Sequence, residues 1–246
     1  MMPILQHWRT VPIVPTYPSL TPCCVQDLKM HAAPTRLAET STLCLARTYY
    51  HMGLVETSST VFARQSVAQR LSKLQQYLPA GFGVLVFDAF RTHATQVALF
   101  HHLREKIRDT HPTWNATQLD EETVRYVAHP EMSRYPVLPH NSGGAIDLTL
   151  TFQDTPLDMG TNFDEPSLVS AMAYFEGEYD PSLGIPGTRW ITAREHRRLL
   201  FHAMVHLGFT SNPKEWWHFD VGDCLWARVF SSEWYYPSME NEMDRI

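Results

Sequence analysis

Helical periodicity marks the first strong pattern of the chain. In residues 60–78, apolar side chains recur every three or four positions, which predicts an amphipathic helix with one buried face. Residues 92–109, 119–127 and 193–207 are also predicted to be helical, and Gly208 is a candidate C-cap for the last of them. The recurring apolar positions of the first helix are Val61, Ala68, Leu71, Leu74 and Leu78.

Short runs rich in β-branched and aromatic residues predict strands. Residues 83–89 read GVLVFDA, which is short and apolar enough for a buried strand. Residues 144–151, GAIDLTLT, and residues 215–221, beginning EWWHF, are predicted strands for the same reason.

The remaining segments predict loops around one folded unit. Residues 1–35 are rich in proline and aperiodic, so we expect extended segments on the surface. Residues 153–190 carry proline, glycine and aspartate throughout, which indicates a long functional loop. The simplest fold class is a single α+β domain over residues 1–246, with a mostly antiparallel sheet and flanking helices. Residues 1–55 would be an extension packed on it and residues 231–246 a tail.

Composition narrows the class of protein. The chain has 246 residues, of which 44% are hydrophobic and 19% charged, as in soluble globular proteins. Its net charge of −6 argues against nucleic acid as a partner, because phosphate contacts require a basic surface. Neither a signal peptide nor an apolar run long enough to cross a membrane is evident, and the four cysteines lack metal-binding spacing. We therefore expect a cytoplasmic protein, and self-association stays open.

Two short segments about 70 residues apart carry the candidate chemistry. HNSGGAID begins with His140 and ends with Asp147, and EWWH begins with Glu215 and ends with His218. Two imidazoles and one carboxylate, with a fourth position open, are how proteins hold a catalytic zinc ion. Asp147 lies in an apolar strand, where a buried carboxylate requires a partner such as a metal. A neighbouring Glu can deprotonate the attacking water.

The local structure of EWWH leaves two arrangements open. On a strand, residues three apart face opposite sides, so Glu215 would lie beside the metal and not on it if the backbone bends there. On a helix, both residues would share a face and both could bind. The aromatic residues between them favour a strand.

Two further features have structural alternatives. His202 and His206 have the i, i+4 spacing of zinc ligands on a helix, but the segment lacks the glutamate of HExxH and has the apolar neighbours of a core-facing helix. Arg91 follows a buried strand, where it could bind a substrate carboxylate or an oxyanion, or simply pair with Asp88.

Four motifs together resemble a known family, the VanX-like D-alanyl-D-alanine dipeptidases. These motifs are FDAFR (87–91), PHNSGGAIDLTL (139–150), DMGTNFDE (158–165) and EWWHFD (215–220). The resemblance covers roughly residues 55–230, and it implies an α+β fold with a zinc site on the sheet. HxxxxxxD followed by ExxH is a fairly specific pattern, and EWWH makes it more so.

The resemblance implies one zinc ion per chain, with His140, Asp147 and His218 as ligands. By the same resemblance, Glu215 is the general base that takes a proton from the attacking water and returns it to the leaving amine. The expected activity is hydrolysis of the D-Ala-D-Ala dipeptide by a metallopeptidase. The alternatives are a peptidase of peptidoglycan stem peptides and a zinc-containing binding module without catalysis.

The same resemblance assigns substrate contacts to two further residues. Arg91 is expected to stabilise the tetrahedral intermediate, and Asp164 to anchor the free ammonium group of the substrate. The chain departs from some family members at Leu138, which stands where they have serine two residues before the first histidine ligand. This departure leaves substrate contacts on that side undetermined.

Overall fold

The computed structural model describes residues 7–17, 21–78 and 80–243, and within them strands and helices are mixed along the chain. The strands are β1 (Pro34–Arg36), β2 (Leu43–Leu45), β3 (Phe62–Arg64), β4 (Phe82–Asp88), β5 (Ala145–Phe152), β6 (Thr155–Pro156), β7 (Thr210–Ser211) and β8 (His218–Asp220). The helices are α1 (Pro22–Met30), α2 (Thr48–His51), α3 (Gln65–Tyr77), α4 (His93–Thr110), α5 (Ala116–Thr123), α6 (Pro139–Ser142), α7 (Gly187–His206), α8 (Cys224–Val229) and α9 (Glu240–Met243).

The main sheet has the strand order β2-β4-β5-β8-β7, and β6 adds to β5. Only the pairing of β2 with β4 is parallel, and the other pairs are antiparallel. Strands β1 and β3 form a separate antiparallel pair. The predicted single α+β domain with a mostly antiparallel sheet and flanking helices is therefore confirmed.

Both ends of the described chain pack on one hydrophobic core. Ile13 and Leu28 from the N-terminal part and Tyr236 from the C-terminal part join the core that β4 and β5 build at the centre. The Tyr236 hydroxyl donates a hydrogen bond to the Leu28 carbonyl at 2.9 Å and lies 2.8 Å from Ser66 Oγ, from which it can accept one. Burial of this apolar surface stabilises the fold and ties both ends to the sheet.

Several predicted elements agree with the structure. The strands predicted at residues 83–89 and 144–151 are β4 and β5, and the helix predicted at residues 92–109 is α4. Thr92 caps α4, since its side-chain oxygen accepts a hydrogen bond from the Thr95 backbone N–H at 3.1 Å. These elements have a clear local signal, which their tertiary contacts reinforce.

The first predicted helix is wrong at its beginning. It was expected over residues 60–78, but α3 begins at Gln65, and the residues before it form β3 against β1. Buried Arg64 holds the chain extended there, because its guanidinium donates hydrogen bonds to the carbonyls of Ser142 and Pro237 at 2.8 and 2.9 Å. These partners are remote in sequence, so the helical pattern could not reveal the boundary.

Other boundaries also differ from the predictions. The helix expected over residues 119–127 is α5, which begins earlier because Asn115 and Gln118 form a capping box. The helix expected over residues 193–207 begins at Gly187, inside the segment predicted as a loop. The rest of that segment is largely irregular. It contains short 3₁₀ helices at Leu168–Ser170, Tyr174–Glu176 and Pro181–Leu183.

The prediction of extended segments over residues 1–35 is only partly correct, because this region contains helix. Residues 7–10 are helical, and α1 follows, with proline in its first turn where the missing N–H costs nothing. The first six residues and residues 18–20 lie outside the described part of the chain. Within the described part, no helix has the length and apolar character needed to cross a membrane.

Candidate metal centre and active site

Strand register brings the central carboxylate of the site next to its partners. Asp147 on β5 lies directly opposite His218 on β8 and directly opposite Asp88 on β4. Directly opposed residues in antiparallel pairs project from the same face of the sheet. A row of three polar side chains therefore crosses the sheet, and in it Asp147 and His218 are buried and Asp88 is partly buried.

His140 reaches this row from a short helix. It lies in α6, a single turn that begins at Pro139 and ends at Ser142. Gly143 follows, and its φ of 75° turns the chain into β5. A Cβ atom at Gly143 would also meet the Met239 sulfur at 2.5 Å, so a side chain has no room there. The predicted loop before β5 is thus one turn of helix with a tight exit.

The outer nitrogens of the two imidazoles have fixed acceptors. His140 Nδ1 lies 2.6 Å from the Ala89 carbonyl oxygen, and His218 Nε2 lies 2.7 Å from Asp220 Oδ1. Both partners accept hydrogen bonds, so these two nitrogens carry the protons. In the neutral imidazoles, His140 Nε2 and His218 Nδ1 therefore present lone pairs toward each other and toward Asp147.

The inner atoms have the spacing of metal ligands. His140 Nε2 lies 3.2 Å from His218 Nδ1 and 3.3 Å from Asp147 Oδ2, and Asp147 Oδ1 lies 3.0 Å from His218 Nδ1. Ligands at about 2.0–2.1 Å from a tetrahedral zinc ion would be about 3.3 Å apart. Two imidazole nitrogens and a carboxylate that converge in this way need a proton or a metal cation between them, and the spacing and the donor types fit a metal ion. One candidate ligand atom from each of the three residues lies within 4.8 Å of the other two.

Charge at this point favours a cation as well. Burial opposes ionisation of Asp147, but both histidines outweigh it and lower the pKa of this carboxyl below its usual range. Burial likewise opposes protonation of His218, but Asp220 and Asp147 raise its pKa well above the usual value. Both shifts reflect attraction between the carboxylates and the imidazoles: the histidines favour the charged form of Asp147, and the carboxylates favour a cation at His218.

Glu215 lies in a turn just before β8 and faces the same site. The predicted strand over residues 215–221 is wrong at its beginning, because only His218–Asp220 forms β8. The chain turns at Glu215, as the strand arrangement with a bend before His218 allows, and Glu215 lines the same cavity as the candidate ligands without being part of β8. Asn212 Nδ2 donates a hydrogen bond to Glu215 Oε2 at 2.8 Å. Burial raises the pKa of Glu215 to about 7, which suits a group that accepts and returns a proton.

Arg91 both pairs with Asp88 and points toward the candidate ligands. Its Nη2 lies 2.9 Å from Asp88 Oδ2 and 3.7 Å from Asp147 Oδ2. Its Nη1 donates a hydrogen bond to Gln96 Oε1 at 2.7 Å, and its guanidinium lies 4.8 Å from the centre of the Tyr49 ring. The two roles weighed for Arg91 are therefore compatible, because the local ion pair holds the guanidinium at the site.

Asp164 reaches the site from the irregular segment between β6 and α7. Its backbone is left-handed, with φ of 59°, a conformation that Asp adopts more readily than most residues. The Tyr49 hydroxyl donates a hydrogen bond to Asp164 Oδ2 at 2.6 Å. The residue is exposed to the cavity, but the protein around its carboxyl desolvates it and raises its pKa to about 6.

One cavity of about 170 Å³ collects all of the predicted site residues. We call it the metal-site cavity. Trp217 and Leu138 also line it, so the position that departs from some family members does face the site. Trp216 instead packs in the core and donates a hydrogen bond to Thr161 Oγ1 at 2.8 Å. The predicted site residues in its lining are Arg91, His140, Asp147, Asp164, Glu215 and His218.

The competing histidine pair has structural contacts. His202 Nε2 lies 3.0 Å from the Val11 carbonyl oxygen, and His206 packs against the rings of Trp8 and Tyr77. Neither residue belongs to a group of three potential metal ligands among the described residues. The i, i+4 spacing in α7 thus serves packing of the N-terminal segment.

Sequence reasoning missed three residues that orient the site. Asp220 accepts a hydrogen bond from His218, and Asn212 donates one to Glu215. Tyr49 accepts a hydrogen bond from Arg91 and donates one to Asp164. Asp220 had a usable signal, since it lies two residues after His218 on a strand and so on the same face. Tyr49 had none, because it lies 115 residues from Asp164.

Comparison with known proteins gives the family. The model of the M15 peptidases, described as D-Ala-D-Ala dipeptidase, matches residues 51–235, well over half of the chain. The chain belongs to this family. Peptide hydrolysis is therefore the class of reaction, and M15 membership confirms the resemblance inferred from the four motifs.

Two curated M15-type relatives extend the comparison. A D-alanyl-D-alanine dipeptidase of Synechocystis sp. is 28% identical over 234 residues, which cover 90% of this chain and 92% of the relative. A D-alanyl-D-alanine dipeptidase of Enterococcus faecalis is 26% identical over 175 residues, which cover 66% of this chain and 74% of the relative. The alignment with the first relative includes nearly the whole length of both proteins.

Proposed function

We propose that this protein is a zinc-dependent dipeptidase that hydrolyses D-Ala-D-Ala to two molecules of D-alanine. One observation carries the proposal: three potential ligand atoms converge at the wall of a small cavity that also contains a base, a guanidinium and a second carboxylate. A buried constellation of this kind, with strongly shifted pKa values, is typical of catalytic sites. The names of the two relatives supply the substrate.

One zinc ion would be held by His140, Asp147 and His218. When bound, it polarises the scissile carbonyl and makes water nucleophilic near neutral pH. The choice of zinc rests on the donor set, since two imidazoles and a carboxylate in tetrahedral spacing, with one position left open, suit catalytic zinc. Asp220 and the Ala89 carbonyl fix the two imidazole tautomers that such binding requires.

Glu215 is the proposed general base. Its carboxylate takes a proton from the attacking water and returns it to the nitrogen of the leaving D-alanine as the C–N bond breaks. A pKa of about 7 lets the same group do both near neutral pH. Asn212 keeps the carboxylate oriented, because its amide holds one oxygen and leaves the other free.

Two charged residues are the proposed substrate contacts. Arg91 donates hydrogen bonds to the carbonyl oxygen as negative charge develops there, and its pairing with Asp88 keeps it in place at no cost during the reaction. Asp164 pairs with the free ammonium group of the dipeptide. Peptides that lack this group would leave the Asp164 carboxylate without its cationic partner, so the site would discriminate against them.

Release of free alanine from D-Ala-D-Ala by the zinc-loaded protein tests the proposal. L-Ala-L-Ala and N-acetyl-D-Ala-D-Ala are the substrate controls, and Glu215→Ala is the protein control. We expect turnover of the free D,D-dipeptide alone, with loss of about 10²–10⁴-fold in Glu215→Ala while zinc is retained. Release from stem peptides but not from the dipeptide would favour the stem-peptide alternative. No release from any peptide would favour a binding module. The cytoplasmic location inferred from the sequence stays a prediction.

A further inference from the structure

A second cavity opens from the metal-site cavity. It has a volume of about 340 Å³, twice that of the metal-site cavity, and we call it the side chamber. The two cavities share a wall that includes Asp164, Glu215 and Trp217. The proposed ammonium anchor and the proposed base therefore face both spaces.

The side chamber has an apolar lining. Met52 from the segment after α2, Leu99 and Leu103 from α4, and Phe163 and Leu168 from the irregular segment contribute to it. Leu168 is 76% exposed, the largest value among the exposed large apolar side chains of the described residues. An apolar side chain that enters the chamber would cover such surface and remove it from water.

Positively charged side chains outnumber negatively charged ones at the rim of the side chamber. Lys106, Arg125 and Lys214 line it and are exposed, so they lie at its rim. Glu165 also lines it, but its carboxylate accepts hydrogen bonds from the backbone and side-chain amides of Asn162 at 3.1 and 3.3 Å. Arg125 pairs with Glu122 at 2.9 Å, so Lys106 and Lys214 against Glu165 leave the rim with an excess of positive charge that disfavours a cationic group.

Substrate geometry places one particular group at the entrance. In a dipeptide whose ammonium group pairs with Asp164, the Cα atom beside the ammonium carries the N-terminal side chain. Asp164 lies in the shared wall, so that side chain starts where the chamber opens. A methyl group would leave the chamber empty, whereas a larger apolar side chain would fill part of it.

We propose that the side chamber receives the side chain of the substrate's N-terminal residue, so that the enzyme accepts dipeptides with a large apolar residue at that position and prefers them to D-Ala-D-Ala. This inference rests on the proposed function, because it uses Asp164 as the ammonium anchor. One methylene in an apolar pocket changes kcat/KM by about 10-fold or more. We therefore expect kcat/KM for D-Leu-D-Ala and D-norleucyl-D-Ala to exceed that for D-Ala-D-Ala by at least about 10-fold.

Filling the chamber should remove this preference. Leu168→Trp puts a larger ring in the lining, and Leu183→Trp is its matched control, because both leucines are exposed in 3₁₀ helices and Leu183 does not line the chamber. We expect Leu168→Trp to lower the ratio of kcat/KM for D-Leu-D-Ala to that for D-Ala-D-Ala by about 10-fold, and Leu183→Trp to leave the ratio unchanged. Leu103→Trp, in α4, is a second filling variant if the first ring turns toward solvent.

The test compares kcat/KM of zinc-loaded protein for D-Ala-D-Ala, D-Leu-D-Ala, D-norleucyl-D-Ala and D-Lys-D-Ala. A preference for the apolar peptides that the filling variants abolish, with D-lysine below its uncharged isostere norleucine, supports the proposal. Equal turnover of all four peptides, or a preference that survives both filling variants, overturns it. A filling variant that slows all peptides equally also overturns it, since the chamber is then only an entrance.

Calorimetric binding to Glu215→Gln separates this inference from the proposed function. Cleavage of D-Ala-D-Ala without tighter binding of D-Leu-D-Ala would overturn the chamber alone. Tighter binding of D-Leu-D-Ala without cleavage of any peptide by the parent protein would overturn the dipeptidase and keep the chamber as an apolar binding site. Failure of both peptides to bind and to be cleaved would overturn both.

Discussion

Asp220 offers a quantitative test of how the protein prepares its metal site. Its carboxylate lies 2.7 Å from His218 Nε2 and is 1% exposed, so no water can replace it. A hydrogen bond to a charged group contributes about 1.5–3 kcal/mol, and one between neutral groups about 0.5–1.5 kcal/mol. Asp220→Asn keeps an acceptor oxygen and loses the charge, which should cost about 1–1.5 kcal/mol. Since 1.4 kcal/mol is tenfold in affinity, zinc should bind roughly 5- to 10-fold more weakly.

Asp220→Ala should be more severe than Asp220→Asn. It leaves the His218 N–H without an acceptor and frees the tautomer, and removal of such supporting groups weakens metal binding by about 10- to 100-fold. Competition with a chromophoric chelator measures the zinc dissociation constant of each variant. Asp27→Asn is the control, because it removes a carboxylate from an exposed ion pair with Arg70, which contributes about 0–1 kcal/mol.

The graded order of the two variants is the decisive result. Parent-like zinc affinity in Asp220→Ala would refute the argument that this carboxylate sets the His218 tautomer. Equal loss in the asparagine and alanine variants would refute the estimate based on charge. Circular dichroism of the metal-free proteins separates weaker zinc binding from unfolding.

Three further outcomes follow from the site and its support. His218→Ala should lose zinc along with activity, and full occupancy by metal analysis would contradict its role as a ligand. The KM for D-Ala-D-Ala should rise as the pH falls below about 6, because the raised pKa of Asp164 makes its carboxyl neutral there and only the carboxylate pairs with ammonium. Asp164→Asn should have a higher KM that no longer changes with pH in this range. A pH profile of KM in this variant that matches the parent protein would exclude Asp164 as the anchor. Arg197→Met should lower the free energy of unfolding by about 2–4 kcal/mol, because it removes buried donors from the carbonyls of Met159 and Ala171 at 2.8 and 2.6 Å; an unchanged urea midpoint with an unchanged m-value would contradict this account.

The link from Arg197 to Asp164 explains why a remote buried arginine matters to the site. Its two acceptors, Met159 and Ala171, lie on either side of Asp164 in the irregular segment. The same segment is joined to the Glu215 turn, since the Trp216 backbone N–H donates a hydrogen bond to the Ser170 carbonyl at 3.0 Å. A segment with little regular structure is thereby held in one conformation.

The sequence by itself determined the central strands, the helix α4 and the candidate ligands. The signals for β4 and β5 are local, because a short run of apolar residues by itself predicts a buried strand. Asp147 was informative for the same reason, since an aspartate within such a run requires a compensating partner. The motifs around His140 and Glu215 then identified the family, which the comparisons confirm.

Only the tertiary structure decided how these residues meet. The register of β5 with β8 places Asp147 opposite His218, and no local pattern encodes a pairing between strands about 70 residues apart. The hydrogen bond from the Trp216 backbone N–H in the Glu215 turn to Ser170, the hydrogen bond from Tyr49 to Asp164 and the extended β3 likewise depend on partners that are distant in sequence. Local patterns report which side chains are buried, whereas the site depends on which buried side chains face one another, and that is fixed when the whole core packs.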